Sequence, residues 1–117
     1  MKVAINKQHG GFGLSDKAFE KLLQLRGIEF ENEESKFGHT NYYVKGHVGD
    51  DDYFISQYEH YSPRNDENLI SVIEEFGDEA NGFAAFIKIV EVPDDVEWQI
   101  DDYDGWEWVA EKHRIWE

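Results

Sequence analysis

The sequence predicts an α+β domain in which two helices pack on a mainly antiparallel sheet and a β-hairpin closes the C-terminal end. Three observations carry this. Two stretches, DKAFEKLLQLRG and SPRNDENLISVIEEFGDEANG, space their apolar residues three and four apart, as one face of a helix requires. Short runs rich in β-branched and aromatic residues lie between and after them. Asp104-Gly105 stands between two Trp-rich runs, which marks a tight hairpin turn.

Val3 to Asn6 reads as a short buried strand. The glycine loop HGGFG follows. Ser15 is a natural N-cap for the first helix, because its hydroxyl accepts an orphan amide of the first turn. Asp16 suits the positive helix end. Phe19, Leu22, Leu23 and Arg26 form the stripe, Leu25 widens it, and Gly27 supplies the left-handed stop.

Residues 29–52 are polar and punctuated by glycine. They predict an exposed loop, then a strand near Asn41 to Lys45. A second strand, YFISQYE, follows the acidic turn Asp50 to Asp52 and pairs with the first. Asn65 or Asp66 caps the second helix, whose face is Leu69, Ile70, Ile73 and Phe76, and Gly77 ends it. FAAFIKIVEVP, closed by Pro93, has the composition of a central strand. Val96, Trp98 and Ile100 then alternate with polar residues. The run 106–116 is the return strand of the hairpin, with a helix as the rival reading through Ala110, Glu111 and Lys112. As a strand it puts Trp106, Trp108, Arg114 and Trp116 on one face, with Glu107, Val109, Glu111 and His113 on the other. The element order is β-α-β-β-α-β-β-β in a single domain, 1–117.

Composition limits function. The chain has 117 residues, 15% of them aromatic, which fits a folded core and not an acidic disordered tail. Its 26 acidic residues against 11 Lys and Arg give a formal net charge of −15. Such a field repels nucleic acid backbones and anionic membranes. There is no cysteine, hence no disulfide or thiolate chemistry. No apolar run approaches the ~20 residues of a membrane span, and the N-terminus lacks a signal-peptide core. A soluble, cytoplasmic protein is expected.

The candidate site is the glycine loop at the start of a helix. Backbone amides there point outward, and the helix dipole favours an anion. Asn6, Gly10, Gly11, Phe12, Gly13 and Ser15 make up this part. The loop is neither a P-loop, since no Gly-Lys-Ser/Thr follows, nor the dinucleotide fingerprint, since Asp16 occupies its last place. A plain tight turn with Phe12 plugging the core is the simpler alternative. His113 and Arg114 are neighbouring cations, and Arg grips phosphate with two bonds. Trp106, Trp108 and Trp116 offer flat faces to a base. Arg64 either pairs locally with Asp66 or points at the bound anion. No metal is expected: the five histidines form no ligand pair on a helix, and only the fold could join His39 and His47 to Asp50 to Asp52. No serine or other nucleophile has a recognisable base beside it, so no catalytic residue and no cofactor is expected.

Three stretches also carry a resemblance. INKQHGGFGLS has Ile5, Asn6, Lys7, Gly10, Gly11, Phe12, Leu14 and Ser15. RNDENLISVIEEFGDEANG runs on toward IKIVEVPDDVEWQI. YDGWEWVAEKHR and the residues after it have Tyr103, Asp104, Gly105, Glu107, Val109, Glu111, His113, Arg114 and Trp116. With these the chain resembles a family of small, functionally uncharacterised phage-encoded proteins. Glu29 to Tyr61 carries none of the likeness, and Gln8 and His9 depart from it. The resemblance implies a phage setting, the host cytoplasm and no catalytic residues. It also carries the glycine loop together with His113 and Arg114, so the two ends are expected to meet around one site.

The leading expectation is a protein that binds, and by binding sequesters, a nucleotide-like anionic small molecule, as in counter-defence against the host. The alternatives are an acidic interaction protein or DNA mimic that blocks a basic host protein surface, and a nucleotide-processing enzyme with Mg²⁺ at Asp50 to Asp52. Homo-oligomerisation is left open by the sequence.

Overall fold

β1 (Lys2–Asn6) is a continuous apolar run because both of its faces are covered. Val3 and Ile5 face one way, into a cluster with Val92, Trp98, Ile100 and Val109. Ala4 faces the other way, into the larger core built on the helices. In the computed structural model, which describes residues 1–112, this strand is therefore the plane between two cores.

α1 (Asp16–Leu25) forms as its sequence dictates. The Ser15 hydroxyl accepts from the Ala18 amide at 3.3 Å, and Gly27 adopts φ +72° just beyond the last turn. Ala18, Phe19, Leu22 and Leu23 are its buried stripe. Leu25, expected to widen that stripe, is exposed. α2 (Glu67–Phe76) is capped by Asp66, whose carboxylate accepts from the Leu69 amide at 3.0 Å, and buries Leu69, Ile70, Val72 and Ile73. Arg26, at the end of α1, donates to the same Asp66 carboxylate at 3.0 Å and fastens the two helices together.

Among the described residues all strand pairs are antiparallel, and they form three small sheets. β2 (Phe30–Glu34), β3 (Thr40–Val44) and β4 (Phe54–Ile55) make the first. β2 lies where a loop was expected. Only Phe30 of its five residues is even half-buried, so no alternation marks it. β4 does pair with β3, as Tyr42 with Ile55 and Tyr43 with Phe54, but it is far shorter than the expected run. Tyr58–Tyr61 beyond it is a 3-10 turn.

Among the described residues β5 (Ile87–Glu91) pairs only with β1, so it is not the central strand its composition predicts. Residues 83–86 are excluded from it because Ala84 turns with φ +60°. β6 (Trp98–Tyr103) and β7 (Trp106–Glu111) form the expected hairpin around Asp104-Gly105, with Tyr103 opposite Trp106. That decides against a helix in 106–111. The strand stops at Glu111, and residues 113–116 of the expected return strand lie outside the described residues. No helix among the described residues is long and apolar enough to cross a membrane.

Candidate functional site

The glycine loop forms one wall of a cleft of about 620 Å³. A cavity of this size suits a small organic ligand. Gly10 to Asp16 line one side, Gly38 to Tyr42 the next, and Phe54 to Tyr58 with Tyr61 a third. Asn81, Gly82 and Phe83 complete it. The first sheet thus faces the glycine loop across the cleft and meets the start of α1 at Thr40 and Asp16.

Of the residues singled out in the sequence, Gly10, Gly11, Phe12, Gly13 and Ser15 line this cleft. The Gly82 amide donates to the Gly13 carbonyl at 2.8 Å. The amides of Gly11, Phe12 and Gly13 meet no acceptor among the described residues. Ser15 adds less than expected, since its hydroxyl donates to the Glu79 carbonyl at 2.6 Å while it caps the helix.

Asn6 and Arg64 stand behind the loop. Asn6 is fully buried. Its Nδ2 donates to the carbonyls of Gln8 and Gly105 at 2.6 and 2.8 Å, and its Oδ1 accepts from the Phe86 amide at 2.9 Å. Every polar atom of that side chain is held by the protein, so its work is to fix the loop. Arg64 does not pair with Asp66, which Arg26 already holds. Its guanidinium forms a two-pronged pair with Glu107, at 2.7 and 3.0 Å, and lies 3.9 Å from the Phe12 ring centroid. The Glu107 carboxylate also accepts from the Asn6 amide at 2.7 Å. Glu107 is only 8% exposed, so this pair is shielded from solvent.

The N-terminal loop therefore meets the C-terminal hairpin through Gly105 and Glu107. Gly105, with φ +86°, lies so close to the loop that an added Cβ would sit 2.5 Å from the Gly11 nitrogen. His113, Arg114 and Trp116 lie outside the described residues.

Several cleft residues gave no signal in the sequence. Gln57 accepts through Oε1 from the Tyr61 hydroxyl, and Asn81 accepts through Oδ1 from the Ile87 amide. Their NH₂ groups donate to nothing among the described residues. Burial pushes the Tyr61 hydroxyl up to about 12, so it stays protonated while it donates to Gln57 and accepts from Leu14. Phe83 is fully exposed, Tyr58 nearly so, and Phe54 about half, all at the cleft. Phe54, Tyr58 and Phe83 all fall in runs that the sequence marks as strands, so nothing there set them apart.

Charge in the cleft is sparse. Among the described residues no Lys or Arg lines it, and Asp16 and His39 are the charged or chargeable groups besides the tyrosines. Asp16 accepts from the Thr40 hydroxyl at 2.9 Å. No group of His, Asp and Glu among the described residues is arranged to hold a metal ion. Comparison with family models, with curated proteins and with solved structures finds no match to this chain.

Proposed function

We propose that the protein binds a nucleotide-like small molecule in this cleft and does not turn it over. One observation carries the reading: the glycine loop, whose Gly11, Phe12 and Gly13 amides meet no acceptor among the described residues, lines a cleft of fitting volume together with exposed aromatic rings and side-chain amides. The loop amides at the start of α1 suit a single anionic group. Phe54, Tyr58 and Phe83 suit the flat face of a base. Gln57 and Asn81 offer donors to its edge, and the Asp16 carboxylate suits sugar hydroxyls. With Arg64 engaged by Glu107 and a net charge of −15, the cleft favours a nucleoside monophosphate over a polyphosphate. In the phage setting that the resemblance implies, binding without turnover means sequestration of a host nucleotide.

The test is calorimetric titration with the common ribonucleoside monophosphates and triphosphates, alongside mass spectrometry of any small molecule released on denaturation. At least one monophosphate binds, and Gly13→Asp and Phe83→Ser each weaken it at least tenfold. Both positions tolerate the change, since Gly13 faces open space and Phe83 packs on little. The proposal fails if no nucleotide binds, or if both variants bind like the parent. Arg114→Ala reports separately on the cation expected from the sequence.

A further inference from the structure

The hairpin has two unlike faces. Glu107, Val109 and Ile100 turn inward, toward β1 and Arg64. Cross-strand register puts Tyr103 with Trp106 and Asp101 with Trp108 on the other face. Both indoles are 41% exposed and Tyr103 is 73% exposed. Partly exposed large aromatics grouped on one face suit a contact surface.

Its surroundings select the partner. From Asp94 to Glu111 the chain has no Lys or Arg, but it has Asp94, Asp95, Glu97, Asp101, Asp102, Asp104, Glu107 and Glu111. The Lys7 ammonium lies 5.3 Å from the Trp106 ring centroid, so this row of indoles already takes one cation from its own chain. His9 also packs near Trp106 and Tyr103. The Trp108 end has no such cation among the described residues. There Asp101 stands directly across the strand pair, its Oδ1 accepting from Gln99 at 2.9 Å. Directly opposed side chains in an antiparallel pair lie about 5 Å apart at Cβ. A planar cation can thus stack on the indole and reach the carboxylate together. Arginine fits this better than lysine, because its guanidinium stacks and forks at once. A second copy of this chain fits poorly, since each carries −15.

We propose that the outer face of the β6–β7 hairpin docks an arginine-bearing segment of a partner protein, with one guanidinium stacked on Trp108 and paired to Asp101. None of this rests on the cleft, which lies on the far side of the glycine loop from the hairpin turn.

The probe is a set of nine-residue peptides, (Gly-Ser-Arg)₃, (Gly-Ser-Lys)₃ and (Gly-Ser-Gln)₃, titrated into the full chain at about 150 mM salt, where long-range attraction is screened beyond about 8 Å. The arginine peptide binds tightest and the glutamine peptide does not bind. Trp108→Ala and Asp101→Asn each weaken the arginine peptide roughly tenfold, Trp108→Phe recovers part of the loss, and thermal midpoints stay near the parent's. Three results overturn the proposal. One is Trp108→Ala binding the arginine peptide as the parent does. Another is equal affinity for the arginine and lysine peptides. The third is a dimer in sedimentation that Trp108→Ala dissociates, which would make the face a self-interface.

Discussion

Replacing Glu107 by alanine removes three contacts at once. The carboxylate takes both prongs of Arg64, at 2.7 and 3.0 Å, and the Asn6 amide at 2.7 Å. Alanine would leave a guanidinium whose side chain is only 20% exposed without its counter-charge. Breaking one partner of a buried pair costs about 3–5 kcal/mol. The orphaned Asn6 amide belongs to the same lesion, so its own desolvation of about 1–3 kcal/mol overlaps that figure and does not simply add. Glu107→Ala is therefore expected to destabilise by about 3–5 kcal/mol, a large part of the roughly 5–15 kcal/mol that holds a domain of this size. Glu107→Gln keeps an acceptor for Asn6 and loses the charge, so its cost is smaller, about 1–3 kcal/mol. The double variant Arg64→Met with Glu107→Met removes both charges and should be less damaging than Glu107→Ala alone. Urea unfolding followed by circular dichroism gives all three values. A loss under about 1 kcal/mol for Glu107→Ala would refute the reasoning, as would a double variant weaker than the single one.

Other positions separate the causes just invoked. Gly105→Ala forces a Cβ within 2.5 Å of the Gly11 nitrogen at φ +86° and is expected to cost about 3–5 kcal/mol, whereas Gly11→Ala, at φ +100° in open space, should cost only about 1–2 kcal/mol. Equal midpoints in chemical denaturation would show that strain, and not the close approach, governs both. Asp66→Ala removes the α2 cap and the partner of Arg26, for an expected loss of about 2–3 kcal/mol by thermal melting. Burial, and then the Arg26 guanidinium, holds His60 below its ordinary value of about 6.5. The unfolded chain thus binds that proton more readily, so this contribution is complete above pH ~6.5 and is lost as pH falls through the folded value. His60→Gln should flatten the stability profile from pH 7 to 5, and an unchanged slope would remove His60 as its source.

Where one residue's surroundings are local, the sequence was readable. Ser15, the Phe19–Leu22–Leu23 stripe and Gly27 define α1 within a dozen positions, and Asp104-Gly105 does the same for the hairpin. β2 was opaque because FENEE buries almost nothing, so its pairing with β3 leaves no apolar period. β5 misled in the opposite sense. Its β-branched residues suggest a central strand, yet among the described residues it pairs with β1 alone. The loop half of the cleft was legible from glycines at a helix start. The facing half was not, because Thr40, Gln57, Tyr58 and Phe83 become a wall only through tertiary contacts. Arg64 shows the limit most clearly. Asp66 is two residues away and Glu107 is 43, but only the latter can be buried with it.

The bond from the Asn6 amide to Glu107 joins residues 101 positions apart. During synthesis, at about 5–20 residues per second, that separation is a delay of roughly 5–20 seconds. Throughout it, β1 and the glycine loop have emerged but lack the carboxylate and the glycine that seat them. Arg64 waits too, unpaired beside Phe12. The helical core can assemble in that interval, since its contacts are already made. The loop cannot settle until the hairpin arrives, so its finished shape is expected only once Glu107 is free to pair with Arg64 and Asn6.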